Sequence, residues 1–402
     1  MDTQTNCAKI QRPYFYSLDT FRGIAALFVA YMHVQIYGIY WAKAWYCVDF
    51  FFILSGFILQ YKYFCPIMPD DKSFLHKFLS HRIARLYPLH IAVLFLILLE
   101  WLWVGYVPPL NQGRGTVPFD LLQSVFMIQG MGFSLGNNPI NPSSWSIGTE
   151  FWANILFACL FIQKGFFIRI SIAFLSYLFL VNSCGTIDVT GFPALYFIST
   201  GFLRTIGGFF LGTILYDIYA FIRSKWIPRL FFLSVCELAS LTSLILFAYI
   251  TRNTNLYGID VCYIILFCTA IITFSFDSGI LSYFFKKFKI YYIGYFSYSI
   301  YMIHYVLFWI LRDIINIINP DKKSSFFLFT LILLFSSALI YYAFEKPAAK
   351  YYRNCISDIT EFSSKGKTII YQLILISVIS LFFFFISYIN KEVYSRKQFI
   401  YV

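Results

Sequence analysis

The sequence is poor in charge. Aspartate, glutamate, lysine and arginine together make up 12% of its 402 residues, whereas soluble domains carry roughly 25%. Hydrophobic residues make up 59% of the chain, and its mean hydropathy is +0.70. This composition excludes an ordinary soluble protein. It predicts a polytopic membrane protein, whose helices satisfy their own backbone hydrogen bonds inside the bilayer.

Paired cysteines and an early apolar leader are also missing. The nine cysteines are scattered, and no two of them form a Cys-x-x-Cys pair. This spacing argues against a zinc site or a redox dithiol, so we expect no bound metal. The N-terminal stretch MDTQTNCAKIQRPYFYSLDT is polar, and we therefore expect no cleavable signal peptide.

Long apolar runs occupy most of the chain. Runs of about 20 apolar residues can cross a bilayer, and they predict an all-α bundle of ten or eleven transmembrane helices. The predicted spans are 18–37, 46–63, 86–107, 145–163, 167–183, 193–217, 230–250, 258–276, 291–312, 326–345 and 369–389. We expect one membrane domain over residues 1–355. Residues 356–402 are expected to add a cytoplasmic linker, a further transmembrane helix and a short tail.

The formal net charge of +12 has two interpretations. In a soluble protein it would indicate a nucleic-acid partner, but in a membrane protein basic residues flank the spans on the cytoplasmic side. Most lysines and arginines fall on one side of the bilayer when the N-terminus is placed in the cytoplasm. We therefore predict a cytoplasmic N-terminus and the lipid bilayer, rather than nucleic acid, as the partner.

The first span carries two ionisable residues, Arg22 and His33. Ionisable side chains inside a membrane are costly and usually functional. Eleven steps of about 100° end within about 20° of three full turns, so the two side chains share one helix face, roughly 16 Å apart along the axis. The topology places Arg22 near the cytosol and His33 in the outer half of the bilayer.

Other polar residues of the spans are predicted at the same outer level as His33. Ser146 and Glu150 share a helix face at i, i+4, and the ninth span carries a polar stripe at i, i+4 and i+7. The predicted outer set is Asp49, Glu100, Trp145, Ser146 and Glu150, and the stripe of Ser297, Tyr301 and His304 rises toward this level. We expect Trp145, Ser146 and the stripe to line a substrate cavity, although simple packing remains an alternative for Tyr301.

The cytosolic level collects Arg22 together with Arg82 and Arg85, which are spaced i, i+3 in HRIARLYP. Arginines at this spacing can present two planar forks to a phosphate group. The sequence thus predicts an inner anion-binding set and an outer acid–base set. Such an arrangement suits a phosphorylated donor that enters from the cytosol with its reactive end near His33.

Six fragments of the chain occur in the order found in a known family. They are LDTFRGIAALFVAYMH, VDFFFILSGFIL, RIARLYP, SSWSIGTEFW, IGYFSYSIYMIH and FEKP, and they span about residues 17–347. In these motifs the chain resembles the acyltransferase-3 family of integral membrane acyltransferases. Many members of that family O-acetylate surface sugars, which include O-antigen and other polysaccharides.

The resemblance implies an O-acyltransferase in the cell's inner (cytoplasmic) membrane. Its donor would be acyl-CoA, most often acetyl-CoA, bound from the cytosol. Its acceptor would be a hydroxyl of an extracytoplasmic saccharide, either a surface polysaccharide or a lipid-linked repeat unit. By the family pattern, His33 is the catalytic residue, Arg22 is its partner on the same helix, and Arg82 and Arg85 bind the CoA phosphates.

His33 would then act as a general base that deprotonates the acceptor hydroxyl as it attacks the thioester. Asp49 and Glu150 match further motif positions, and a carboxylate can orient a catalytic imidazole or raise its basicity. Both residues are therefore predicted as catalytic support. The sequence leaves open which of them contacts His33.

Simpler interpretations of several residues stay open. Ser146 is either a nucleophile that forms an acyl-enzyme or, near the start of a helix, a cap. Arg82 and Arg85 are either phosphate ligands or ordinary basic flanks of a span. Glu345 with Pro347 predicts the end of the tenth helix rather than a catalytic site.

A transporter or flippase of a glycan or small solute is the alternative function, because intramembrane charges also line solute paths. Inverted repeats and paired broken helices would favour a transporter, and the sequence shows neither. The spacing of Arg22 and His33 favours the enzyme. Loop 108–144, which is rich in Asn, Gln and aromatic residues, is the predicted region of acceptor contacts.

Overall fold

In a computed structural model of the chain, the described residues are 13–33, 43–63, 72–104, 117–133, 140–161, 165–190, 193–195, 198–226, 228–254, 257–318 and 321–353. The predicted eleventh span, 369–389, lies outside these residues, together with its linker and tail. Residues 108–116 and 134–139 of the predicted acceptor loop also lie outside them. The predictions for these segments stay predictions.

Helices make up nearly all of the described chain. The α-helices are α1 (Tyr16–His33), α2 (Cys47–Tyr63), α3 (Lys72–Val104), α4 (Val117–Val125), α5 (Ser144–Leu156), α6 (Phe166–Cys184), α7 (Thr200–Lys225), α8 (Leu230–Thr251), α9 (Val261–Ser275), α10 (Ile280–Lys287), α11 (Tyr292–Tyr295), α12 (Ser297–Ile318) and α13 (Lys322–Ile340). A 3₁₀ turn at Ala44–Tyr46 precedes α2, and π turns at Phe157–Phe161 and Tyr341–Glu345 follow α5 and α13. Before α7, strands β1 (Pro193–Leu195) and β2 (Ile198–Ser199) form a small antiparallel pair. The predicted all-α class is confirmed.

Six helical segments of the described residues are long and apolar enough to cross a membrane. A seventh is added if α9 and α10, which bend by 69° at their break, form one span. The six are Ala44–Tyr63, Phe78–Trp103, Phe166–Cys184, Thr200–Lys225, Leu230–Thr251 and Lys323–Arg353. The chain is therefore a multi-pass membrane protein, as its composition predicts.

Two helix ends differ from the prediction. The third helix begins at Lys72 rather than near residue 86, because its basic first turns interrupt the apolar run but still favour helix. Arg82 and Arg85 therefore lie on a helix.

The predicted helix end at Glu345–Pro347 is wrong, since helical conformation continues past Pro347. The π turn before this proline already interrupts the i→i−4 ladder, so its missing N–H is tolerated.

Helices α2 and α7 approach each other through two glycines. A Cβ atom at Gly56 would lie 1.9 Å from the carbonyl oxygen of Phe209, and one at Gly212 would lie 1.9 Å from that of Ile53. Small residues permit such backbone contacts between membrane helices. The contact fixes α2 against α7, and it thereby places Asp49 of α2 beside α7.

A buried carboxylate of α8 caps a neighbouring helix. Glu237 is fully buried, and it accepts hydrogen bonds from the backbone N–H groups of Gly279 at 2.9 Å, Leu281 at 2.9 Å and Ser282 at 3.1 Å. The hydroxyl of Ser282 also donates to it. These N–H groups belong to the start of α10, where the helix itself offers them no carbonyl acceptor. Glu237 thus stabilises the bend between α9 and α10.

Replacing Glu237 by leucine is expected to lower the free energy of unfolding by about 2–4 kcal/mol, because three backbone N–H groups, two of them in buried hydrogen bonds, lose a charged acceptor. The measurement is chemical unfolding of the purified protein in mild detergent, followed by tryptophan fluorescence. Ser234→Ala is the matched control, since the half-buried Ser234 hydroxyl accepts from one N–H group of the same turn, that of Ile280. Equal stability of Glu237→Leu and the control would contradict the capping role.

Candidate active site

A cavity lies between α1, α2, α3, α5 and α12. Its empty space is about 780 Å³, including the part that is open to solvent. Besides apolar groups, its walls carry three arginines, one glutamate and several hydroxyls: Arg22, Arg82, Arg85, Glu150, Ser55, Ser146, Ser297 and Tyr301. The structure thus brings the three predicted phosphate-binding arginines together with three of the predicted cavity residues.

Arg22 enters the cavity from α1, and its guanidinium group is held on several sides. Nε donates to Oγ of Ser297 at 2.9 Å, and Nη2 donates to the carbonyl oxygen of Gly294 at 2.6 Å. Nη1 forms a 3.0 Å ion pair with Asp19, one turn earlier on α1. A Cβ atom at Gly294 would lie 2.1 Å from the carbonyl oxygen of Asp19, so glycine is needed for this approach. These contacts fix the position of Arg22.

Arg82 and Arg85 reach the same cavity from α3. Arg82 is 6% exposed, its guanidinium carbon lies 5.7 Å from the ring centre of Phe78, and its Nε has no hydrogen-bond partner among the described residues. Arg85 is exposed to the cavity. Buried donors normally have acceptors. The unpaired Nε of Arg82 therefore points to an anionic group that the cavity would hold.

Ser146 and Tyr301 form a hydrogen bond across the cavity wall. The two hydroxyl oxygens are 2.6 Å apart, and Ser146 also donates to the carbonyl oxygen of Ser143 at 3.2 Å. The capping interpretation of Ser146 is wrong, because α5 begins at Ser144 and Ser143 holds the N-cap position. Ser146 instead connects α5 to α12.

The predicted stripe on α12 contacts α1 at both of its ends. Ser297 binds Arg22, as described above, and Nε2 of His304 lies 3.1 Å from Nδ1 of His33. The planes of the two imidazole rings are inclined by 19°, and their centroids are 5.1 Å apart. Neither histidine lines the cavity, but the ring of Tyr301, which does, lies 6.0 Å from that of His304. Tyr301 therefore stands between the arginines and the histidine pair.

Glu150 lies elsewhere than predicted. Its Oε1 accepts a hydrogen bond from Ser55 at 2.6 Å, in the cavity that holds the three arginines. The assignment of Glu150 to the level of His33 is therefore wrong. Glu150 lies one turn, about 6 Å, further along α5 than Ser146. This distance places its carboxylate beside the arginines of the cavity.

Asp49 has a partner that the sequence does not reveal. It is fully buried, and Arg204 of α7 donates to its two oxygens from Nε at 2.8 Å and from Nη2 at 2.6 Å. Arg204 also forms a 3.1 Å ion pair with Asp188. Among the described residues, neither Asp49 nor Glu150 hydrogen-bonds to His33, so the predicted carboxylate–imidazole pair is not present. A lone arginine inside a predicted span is the signal that could have identified Arg204.

Trp145, predicted as a cavity residue, belongs to the packing instead. Its ring lies 6.1 Å from that of Phe52 at a steep angle. A Cβ atom at Gly201 would lie 3.1 Å from the same indole ring. Trp145 therefore fixes α5 against α2 and α7 and is absent from the cavity wall.

Comparison with known proteins gives two matches. The sequence model of the acyltransferase-3 family, described as an acyltransferase domain, matches residues 15–346. A protein from Rhizobium radiobacter named "Protein 2 in picA locus" is 31% identical over 157 residues, which are 36% of this chain and 81% of that protein. No solved structure matches the chain.

Proposed function

The chain belongs to the acyltransferase-3 family, and on that premise we propose the reaction of this membrane acyltransferase. It moves an acyl group, acetyl in the simplest case, from acyl-CoA on the cytosolic side to a hydroxyl of an extracytoplasmic saccharide. One observation carries the proposal, namely that the stripe of α12 joins Arg22 at one end and His33 at the other. Arg22, which would bind the donor, and His33, which would accept the proton, thus both lie on α1 and both contact α12.

The arginines support a donor with several phosphate groups. Three guanidinium groups share the cavity with one carboxylate, that of Glu150, so the cavity is cationic. Planar guanidinium forks match phosphate oxygens in pairs, and the unpaired Nε of Arg82 is available as a donor. Acyl-CoA has such phosphates at one end and the thioester at the other.

The proposed reaction transfers the acyl group from the sulfur of CoA to the hydroxyl oxygen of the acceptor. The acceptor oxygen bonds to the acyl carbon and the carbon–sulfur bond breaks, while the hydroxyl proton passes to His33 and then to the departing CoA thiolate. Transfer is direct, since the alternative nucleophile, Ser146, hydrogen-bonds to Tyr301 rather than to a histidine. Asp49 and Glu150 bind other groups and leave the proton transfer to His33.

Everted membrane vesicles test this function. Acetyl-CoA with a labelled acetyl group is added to the medium, which then faces the cytosolic side, and the membrane's own saccharide serves as acceptor. We expect one free thiol in the medium for each labelled acetyl ester on the saccharide, and neither product in vesicles that lack the chain. Movement of saccharide across the membrane without thiol release would overturn the enzyme in favour of a transporter.

The arginines of α3 give a second test. The double variant Arg82→Ala, Arg85→Ala is expected to raise the apparent KM for acetyl-CoA by about 10- to 100-fold, because hydrogen bonds between charged groups contribute about 1.5–3 kcal/mol. The kcat should change little, since no group near His33 is altered. Initial rates of thiol release at varied donor concentration measure both constants.

Two controls accompany this variant. Arg223→Ala removes an arginine of α7 that binds Tyr219 and lies outside the cavity wall, and it should leave KM unchanged. S-acetylpantetheine, which lacks the phosphates, should be used equally by the double variant and the wild type. An unchanged KM for acetyl-CoA in the double variant would show that these arginines do not bind the donor and are ordinary basic flanks of a membrane span.

A further inference from the structure

His33, the last residue of α1, contacts His304 in the first half of α12. Nδ1 of His33 and Nε2 of His304 are 3.1 Å apart, and His304 is fully buried. A neutral imidazole has one nitrogen with hydrogen and one without. A contact of this length between two ring nitrogens is attractive only when one of them carries a proton. The contact therefore couples the two rings, because one nitrogen of the contact must carry the hydrogen and the other must accept it.

Neither of the predicted carboxylates is available to orient His33. The carboxylate of Asp49 is bound on both oxygens by Arg204, and that of Glu150 accepts from Ser55 in the arginine cavity. A neutral imidazole is also the less costly partner at this depth, because a further buried carboxylate would have to be desolvated.

We propose that His304 is the positioning residue of His33. It accepts a hydrogen bond from Nδ1–H of His33 at its own Nε2 and carries its own hydrogen on Nδ1. His33 is thereby held in the tautomer whose Nε2 has a free lone pair. This role rests on the proposed function, in which Nε2 of His33 takes the proton of the acceptor hydroxyl.

The opposite arrangement would prevent that function. If Nε2 of His304 donated to Nδ1 of His33, the hydrogen of His33 would lie on Nε2, and that atom could only donate. In the proposed arrangement, the cation formed when His33 accepts the proton keeps its hydrogen bond to His304. The proton itself stays on His33 until the CoA thiolate takes it, so His304 remains a neutral imidazole throughout.

The tautomer is directly measurable. The protein is labelled with ¹⁵N-histidine and placed in lipid, and solid-state NMR distinguishes protonated from unprotonated ring nitrogens. The chain has five histidines, and the signals of His33 are those lost in His33→Asn. We expect hydrogen on Nδ1 and none on Nε2. Hydrogen on Nε2 of His33 in the wild type would overturn the proposal.

Two variants of His304 test its effect on the reaction. His304→Phe keeps the ring volume but removes the acceptor, and it is expected to lower kcat by about 10²-fold, the lower end of a general-base contribution. The KM for acetyl-CoA should stay within about threefold of the wild type. His304→Gln places an amide oxygen near the position of Nε2 and should recover kcat to within about tenfold of the wild type.

These outcomes separate the two proposals. Loss of kcat that is equal in His304→Gln and His304→Phe, with the tautomer of His33 unchanged in both, would reduce His304 to a packing residue. The NMR result needs no substrate, so it holds even if the vesicles show no acyl transfer. In that case the proposed function fails while the histidine pair stands.

Discussion

Replacing His33 by alanine is expected to lower the kcat of acyl transfer by about 10²- to 10⁴-fold, which is the range that a positioned base contributes. The variant leaves the acceptor hydroxyl without a proton acceptor at the end of α1. The proposed donor site stays intact, because Arg22, Arg82 and Arg85 lie in the cavity and His33 does not. The KM for acetyl-CoA should therefore change little. Thiol release at saturating donor measures the loss.

A histidine outside the site provides the control for this variant. His81 lies on α3 with an exposed side chain, and His81→Ala should retain the wild-type kcat. Both variants should show the same unfolding temperature in detergent, so that a loss of activity is not a loss of protein. A His33→Ala protein that transfers acetyl groups at the wild-type rate would remove His33 from the mechanism.

Replacing Asp49 by alanine is expected to lower the free energy of unfolding by about 3–5 kcal/mol, because it leaves a buried guanidinium without its bidentate partner. Arg204 is 1% exposed, and Asp188, its second partner, contacts it through one oxygen at 3.1 Å. Since whole proteins are stable by only about 5–15 kcal/mol, this loss is a large part of the total stability, and the yield of monodisperse protein should fall. Size-exclusion chromatography in mild detergent and chemical unfolding measure the effect.

Removing both charges tests whether the pair acts as a unit. The double variant Asp49→Leu, Arg204→Leu should recover most of the stability, because an apolar replacement of a whole buried ion pair is often neutral. If the double variant is as unstable as Asp49→Ala, the carboxylate stabilises the fold through contacts other than Arg204. Wild-type stability of Asp49→Ala would show that the ion pair contributes nothing to the fold.

The residues on single helices could be predicted from the sequence. Helical spacing puts Arg22 and His33 on one face of α1, and Ser297, Tyr301 and His304 on one face of α12. The structure packs these two faces together. Local spacing is sufficient here because 3.6 residues per turn fixes which side chains align. The spacing of Arg82 and Arg85 at i, i+3 likewise puts these two arginines on one face of α3.

The pairing of residues from different helices could not be predicted in this way. Asp49 and Arg204 are 155 positions apart, and His33 and His304 are 271 positions apart. Spacing within a helix does not tell how far that helix is rotated or shifted against its neighbour. Close packing decides this, and for Asp49 the glycine contact between α2 and α7 is the deciding feature. Depth estimated from span ends misplaces Glu150 for the same reason.

The helices of the cavity wall are held by two kinds of contact. Gly56 and Gly212 bring the backbones of α2 and α7 together, and Gly294 brings α11 against α1, so these helix pairs can shift only as units. Helix α3 contains no glycine, and no described glycine of another helix meets it. Its contacts are made by side chains, among them the buried hydrogen bond from the hydroxyl of Tyr298 to the carbonyl oxygen of Leu86 at 2.7 Å. Arg22 is thus placed by a close approach of two backbones, whereas Arg82 and Arg85 are placed by side-chain packing and hydrogen bonds.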